Sequence, residues 1–174
     1  MQPSPLQLTD LFFLHSDIRP RIEPDVTSLP AGNERFSFNN TVITTTVEHA
    51  VAPEDDESPI SRLLVTLRFI LEDEGDAPPP YLVDVKCIGY FTIHKSAFPD
   101  PVKRLDVGVV NGASMLYGSL REHIFNATAR MWYGELLLPS VNFVEDAPSL
   151  THQAQPDAPV EKPRKARKKN TTKS

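Results

Sequence analysis

The chain has 174 residues, 40% of them apolar, which suits one domain with a modest core and some length left for tails. Its single cysteine excludes a disulfide framework within one chain, so we expect a reducing, cytoplasmic location. No apolar run approaches about 18 residues and the N-terminus lacks a basic and apolar leader, so we expect neither a membrane span nor a signal peptide.

The net charge of −5 is divided unevenly along the chain. Residues 1–152 hold 11 basic and 21 acidic residues, whereas residues 153–174 hold 7 basic and 2 acidic ones. We therefore expect an acidic body that repels nucleic acid, and a disordered, proline-containing basic tail over residues 149–174. The tail could contact an acidic partner, RNA, anionic lipid or its own body.

Four segments have the patterns of β-strands. They are residues 6–26, with proline breaks, 36–49, rich in β-branched residues, 60–71 and 81–93. In residues 60–71, alternate positions are apolar and predict one buried face. Loops of this length between strands are typical of an antiparallel meander.

The fourth predicted strand is apolar on both faces. One face carries Tyr81, Val83, Val85, Cys87, Phe91 and Ile93. The other mixes Asp84 and Lys86 with Leu82, Ile88 and Tyr90. Gly89 indicates a bulge or a close backbone approach. Such a sheet needs a helix on one side and a partner or ligand on the other.

Residues 102–132 have helical periodicity. The apolar stripe comprises Val109, Ala113, Leu116, Leu120, Ile124 and Ala127. Gly112 and Gly118 weaken a helix by about 1 kcal/mol each and permit close contact, which suits a seam between subunits. Residues 144–155 have no clear helical stripe, so any second helix is expected to be short or absent.

Catalytic and metal sites find little support in the sequence. The five histidines show no ligand spacing, and Cys87 lies within an apolar strand, as a core residue would. The acidic run at 54–57 lacks the spacing of an EF-hand. A small enzyme with a hot-dog-like sheet and helix is a further alternative, but the sequence offers no candidate catalytic residues for it. We expect no enzymatic activity, no cofactor and no metal.

Three motifs in register carry a family resemblance. Residues 83–93 contain a Gly-x-Phe-x-Ile element, Asn111 and Leu116 precede an Arg-Glu pair at 121–122, and residues 136–143 read Leu-Leu-Leu-Pro-Ser-Val-Asn-Phe. Over roughly residues 6–143, the chain resembles the SecB-like protein-export chaperones. The resemblance implies a SecB-like domain over residues 1–148, an α+β fold with a four-stranded antiparallel sheet and one long helix packed on it.

The resemblance also implies a function. Family members are ATP-independent chaperones that hold unfolded polypeptides in apolar grooves, assemble as a homotetramer built as a dimer of dimers, and in many cases pass preproteins to the SecA translocation motor. Some relatives instead protect one antitoxin. Gly118 and Ser119 replace a Pro-Tyr pair of the family, and a basic tail replaces its motor-binding tail, so a dedicated chaperone is an alternative to general export. A second alternative is a module that binds RNA or another acidic partner through the tail.

The residues expected to form the functional surfaces are apolar. The client-binding candidates are Phe36, Phe38, Val42, Tyr90, Leu136, Leu138 and Phe143. The candidates for the oligomer interface are Val109, Leu116, Leu120 and Ile124.

Overall fold

Four strands and one long helix form the framework of the chain. The computed structural model describes residues 3–23, 27, 36–38, 41–53, 55, 57–75 and 79–151, with the backbone alone for 73–75 and 151. The elements are β1 (Leu6–Pro20), β2 (Thr41–Val51), β3 (Ile60–Gly75), β4 (Tyr81–His94), α1 (Pro101–Thr128), a 3₁₀ turn (Val144–Asp146) and α2 (Pro148–Thr151). The expected α+β class, a four-stranded antiparallel sheet with one long helix, is confirmed.

The order of the strands differs from the predicted meander. The sheet runs β1-β4-β3-β2, so β2, β3 and β4 follow one another while β1 lies beside β4. All three pairings are antiparallel. Alternation along a strand reports its two faces but not its neighbours, so the sequence pattern contained no information about this placement. As a result β4, which is apolar on both faces, lies inside the sheet.

Two register shifts interrupt the pairing of β1 with β4. They fall between Leu8 and Asp10 and between Phe13 and His15, each leaving one residue of β1 without an opposite partner. An extra residue reverses the alternation of faces downstream of it. Phe12 consequently lies opposite Ile88, on the face away from α1, and Phe13 lies opposite Cys87.

The core lies between α1 and one face of the sheet. On β3 this face is formed by Leu63, Val65, Leu67, Phe69 and Leu71, all at most 4% exposed. The predicted buried faces of β3 and β4 are therefore confirmed. A Cβ placed on Gly89 would lie 2.7 Å from Leu116 Cδ2, so the close approach expected there is present.

The helical stripe predicted to join subunits packs on the chain's own sheet instead. Val109, Leu116, Leu120 and Ile124 are all 0% exposed within the single chain. They cannot contact a second subunit in this structure, because the sheet already occupies that side of the helix. The helical period identified an apolar stripe without showing which surface covers it.

Helix α1 starts at Pro101, where the Asp100 side chain accepts a hydrogen bond from the Val102 amide at 2.9 Å. It ends at Thr128, four residues before the predicted end, and Gly134 adopts a φ of 76° in the following turn. The next segment then returns along the helix. Thr128 Oγ1 accepts from the Leu136 amide at 2.8 Å, and the Tyr117 hydroxyl donates to the Pro139 carbonyl at 2.7 Å.

The described part of α2 spans Pro148–Thr151, where the described residues end, so the expected shortness of a second helix stays a prediction. Ser149 ties α2 to α1, because its amide and hydroxyl donate to the Asp106 carboxylate at 3.0 and 2.6 Å. Residues 152–174 lie outside the described residues, so the expected disorder of the tail stays a prediction.

Candidate functional site: the uncovered face of the sheet

The described elements leave the face of the sheet opposite α1 uncovered. Along β4 every second residue is buried under α1, and the residues between them are half-buried or exposed. No helix or strand in the described part of the chain packs on that second face. Its side chains therefore meet solvent in a single chain, although several are apolar.

An aromatic patch lies on this face, formed by Phe12, Leu64, Ile88 and Tyr90. Tyr90 of β4 lies opposite Leu64 of β3, and Ile88 lies opposite Phe12 of β1. The Phe12 and Tyr90 side chains are 54% and 44% exposed, and their rings meet edge to face with centroids 6.2 Å apart. Contiguous exposed apolar surface of this kind marks interaction sites in soluble proteins.

A groove adjoins the aromatic patch at the end of the sheet where β2 ends and β3 begins. This end groove has a volume of about 640 Å³, and its lining is mainly apolar. Ala50, Val51, Leu64 and Tyr90 contribute to its walls, with Asp10 and Arg62 beside them. It is large enough to receive several side chains of an extended polypeptide.

A polar belt crosses the middle of the same face. Arg68 Nε and Nη2 donate to the two carboxylate oxygens of Asp84 at 2.9 and 2.7 Å. Lys86 Nζ lies 3.4 Å from Glu48, and His15 Nε2 lies 3.8 Å from Asp84. The Arg68 hydrogen bonds hold the pKa of Asp84 below its usual value. Because these charges compensate one another, the belt divides the face without forming a charged site.

Beyond the belt lies the far groove, also about 640 Å³ in volume. Ile70 and Leu82 supply its apolar part, while Asp17, Arg19 and Glu72 make it more polar than the end groove. The uncovered face is thus apolar at one end, charge-balanced in the middle and mixed at the other end.

Strand β1 forms one outer edge of the sheet and extends the apolar surface. Phe13 and Leu14 on this strand are 37% and 57% exposed. Phe13 stacks on the His123 ring at 4.3 Å, and Ser16 Oγ lies 2.9 Å from His123 Nε2, which ties the strand to α1. An edge strand presents backbone donors and acceptors that an extended chain can pair with.

The predicted client-binding residues are dispersed over the structure. Tyr90 lies in the aromatic patch, and Val42, 38% exposed, lies on the opposite outer strand. Phe36 and Phe38 precede β2, are half-buried, and meet edge to face at 5.0 Å while packing against the core. The structure therefore does not bring these four together into one groove.

Three further client-binding candidates need correction. Leu136, Leu138 and Phe143 are each 1% exposed and belong to the core. The Thr128 and Tyr117 hydrogen bonds hold this segment against α1, which buries its apolar side chains within the chain.

Sequence reasoning did not nominate Phe12, Leu64 or Ile88 as functional. For Ile88 the signal was present, because it shares the partly polar face of β4 with Tyr90. Phe12 could not be assigned to a face, because the irregular register of β1 breaks the alternation that such an assignment needs.

The described residues contain no group of three His, Cys, Asp or Glu side chains placed to hold a metal ion. Burial raises the pKa of the Cys87 thiol to about 11, which makes it inert near neutral pH. None of the helices in the described ranges has the length and apolarity to cross a membrane.

Solved structures similar to this chain include a protein of unknown function from Streptococcus agalactiae. Its TM-score is 0.50 at 12% identity, covering 78% of this chain and 97% of that one. Another is a SecB-like chaperone from Mycobacterium tuberculosis in complex with a ChAD peptide from the HigA1 antitoxin. Its TM-score is 0.47 at 14% identity, covering 78% of this chain and 90% of that one. No protein-family model and no curated protein matches the sequence. At 12% identity the first similarity concerns the fold alone.

Proposed function

We propose that this protein is an ATP-independent chaperone that holds non-native polypeptides on the uncovered face of its sheet. The observation that carries the proposal is the aromatic patch, whose exposed rings adjoin the end groove and the outer strand β1. The resemblance of three sequence motifs to the SecB-like chaperones supports the same conclusion.

The energetics of the patch suit transient holding. Covering half-exposed side chains such as Phe12 and Tyr90 contributes on the order of 1 kcal/mol each. Ordering an extended client opposes much of this gain, so a single contact is weak. Tight holding then requires several contacts along one client, through the groove, the patch and backbone pairing with β1. Binding of this kind protects a client by mass action and needs no nucleotide.

Assembly into an oligomer is part of the proposal, with a different surface from the one first predicted. The buried stripe of α1 is occupied by the sheet, whereas Met115 and Phe125 on its outward side are 40% and 37% exposed. Gly118 lies between them, with no atom within 4 Å of an added Cβ. We expect Met115→Lys combined with Phe125→Lys to reduce the mass of any native oligomer, as measured by native mass spectrometry.

Suppression of aggregation tests the chaperone function directly. A chemically unfolded protein is diluted into buffer without nucleotide, with this protein at equal molar ratio, and light scattering is followed. The proposal predicts reduced scattering, and a substantial loss of this effect in the Phe12→Thr/Tyr90→Thr double variant. Val102→Thr is the matched control, since Val102 is 57% exposed on α1, away from the uncovered face. Unchanged scattering with the native protein would refute the chaperone function.

Two client ranges remain within the proposal, and isolation from the native cell distinguishes them. Many unfolded preproteins together with the SecA motor would support a general role in export. One recurring partner would support a dedicated chaperone, such as one for an antitoxin. The double variant should lose these partners in either case, because both roles use the same apolar surface.

A further inference from the structure

The basic segment of the chain begins close to the end groove. Ser149 is held on the second turn of α1 by two hydrogen bonds to Asp106, and α1 starts shortly after the end of β4. The end groove is lined by residues at the same end of the sheet, including Val51 and Ile60. The described part of the chain therefore ends, at residue 151, near the end of the sheet that carries this groove.

The length of the following segment suffices to reach the other face. Residues 152–161 can span up to about 33 Å when extended. The distance between packed layers is only about 10 Å, so this spacer can pass around the end of the sheet. Residues 162–169 then supply six basic side chains, preceded by Ala158, Pro159 and Val160.

The loop beside the end groove carries the opposite charge, next to the basic residues Arg62 and Lys95. The loop between β2 and β3 contains four consecutive acidic residues at 54–57, of which Asp55 and Glu57 are described and exposed. Asp55 lines a small hollow together with Ala52, Ile60 and Arg62, and these three residues also line the end groove. Lys95 Nζ donates to the Asp55 carbonyl at 2.7 Å and holds the loop at this position.

We propose that residues 158–169 of this chain fold back as an intramolecular cover of the end groove. Residues 158–160 lie over its apolar wall, and residues 162–169 face the loop that carries Asp55 and Glu57. The cover competes with polypeptide clients for the same apolar surface. Its regulatory role rests on the proposed chaperone function, whereas the contact itself does not.

A spin label on Ala166→Cys tests the contact in the full chain. Native Cys87 is buried, so the unmutated protein should take up no label and serves as the control. At an ionic strength of about 0.01 M, we expect broadening of the amide signals of Ala50, Ala52 and Ile60, and none at Leu82 in the far groove. About 1 M salt should remove the broadening, because it screens exposed charges beyond about 3 Å. Absence of broadening at low salt, or equal broadening at Leu82, would overturn the proposal.

Charge exchange separates a specific contact from a general salt effect. Changing the six basic residues of 162–169 to Glu should abolish the broadening, and so should changing the four acidic residues of 54–57 to Lys. Combining the two sets should restore it, and failure to restore it counts against the contact.

Spin-labelled protein mixed with isotope-labelled protein provides a further check. Broadening between the two copies would show that the segment binds another chain, which contradicts an intramolecular cover.

The consequence for binding is measured with the neutral dye Nile red. If the segment covers the groove at least half of the time, the variant with six Glu substitutions in its tail should bind the dye at least about twofold more tightly than the native protein does. Equal affinity in both proteins would overturn the competition. The two proposals can fail separately. Broadening without suppression of aggregation would support the contact and refute the chaperone function. Suppression of aggregation without broadening would support the chaperone function and refute the contact.

Discussion

Replacing Gly89 by alanine should destabilise the protein by about 1–3 kcal/mol, the range observed for overpacking of a core. Gly89 lies on β4 directly beneath α1. A Cβ there would lie 2.7 Å from Leu116 Cδ2, 2.8 Å from Phe91 Cε2 and 3.1 Å from Leu8 Cδ1. All three atoms are ends of side chains, so the neighbours can move, and the penalty stays moderate. The expected fall in the melting temperature is roughly 2–12 °C for a domain of this size.

The same substitution at Gly118 is a matched control with the opposite sign. Gly118 lies inside α1, is exposed, and has no atom within 4 Å of an added Cβ. Alanine should therefore stabilise the chain by about 0.5–1 kcal/mol, through its higher helix propensity alone. Urea unfolding followed by circular dichroism measures both variants under identical conditions.

A double-mutant cycle shows whether the contact with α1 causes the loss at Gly89. Leu116→Val alone should cost about 1 kcal/mol, because it removes buried apolar volume. Combined with Gly89→Ala, it should cost less than the sum of the two, by about 0.5–3 kcal/mol, since the shorter side chain makes room for the new methyl group. Equal stability of Gly89→Ala and the native protein, or strict additivity in the cycle, would refute the packing of α1 over Gly89.

Other expected outcomes concern the helix end, the polar belt and the thiol. Thr128→Val should lower the free energy of unfolding by about 1–3 kcal/mol in urea titrations, because the buried Leu136 amide loses its acceptor. A loss below about 0.5 kcal/mol, roughly half the contribution of a typical hydrogen bond, would contradict this. Asp84→Asn should destabilise the chain near neutral pH by removing the Arg68 pair. The pKa of Asp84 is lowered in the folded chain from an ordinary 3.8, so this stabilisation is complete above 3.8 and disappears as the pH falls through the lower folded value. Urea midpoints of the variant and the native protein should therefore converge in acid, and a constant difference would contradict the assignment. Cys87 should resist a disulfide reagent near pH 8 while the chain is folded, because the side chain is buried and burial raises the pKa of its thiol to about 11; rapid labelling of the folded protein would disprove this.

Only part of the candidate site was visible in the sequence. The mixed face of β4 indicates an apolar surface in need of a partner, and Tyr90, a client-binding candidate on that face, is 44% exposed. Leu136 and Phe143, which follow the long helix, are client-binding candidates as well because they are apolar. In the structure they fill the core beside α1. Apolar character alone cannot separate these two outcomes, because both depend on what the rest of the chain leaves uncovered.

The sequence by itself determined the local structure and which side of β3, β4 and α1 is apolar. Alternation along β3 and β4 and the helical period of α1 depend on neighbouring residues, so they identified the strands, the helix and their buried sides. The tertiary structure alone decided that β1 joins β4, that the stripe of α1 is covered by the chain's own sheet, and that Phe12 meets Tyr90 on the open face. Each of these contacts joins residues far apart in the sequence, and local periodicity contains no information about which distant surface will cover a given face.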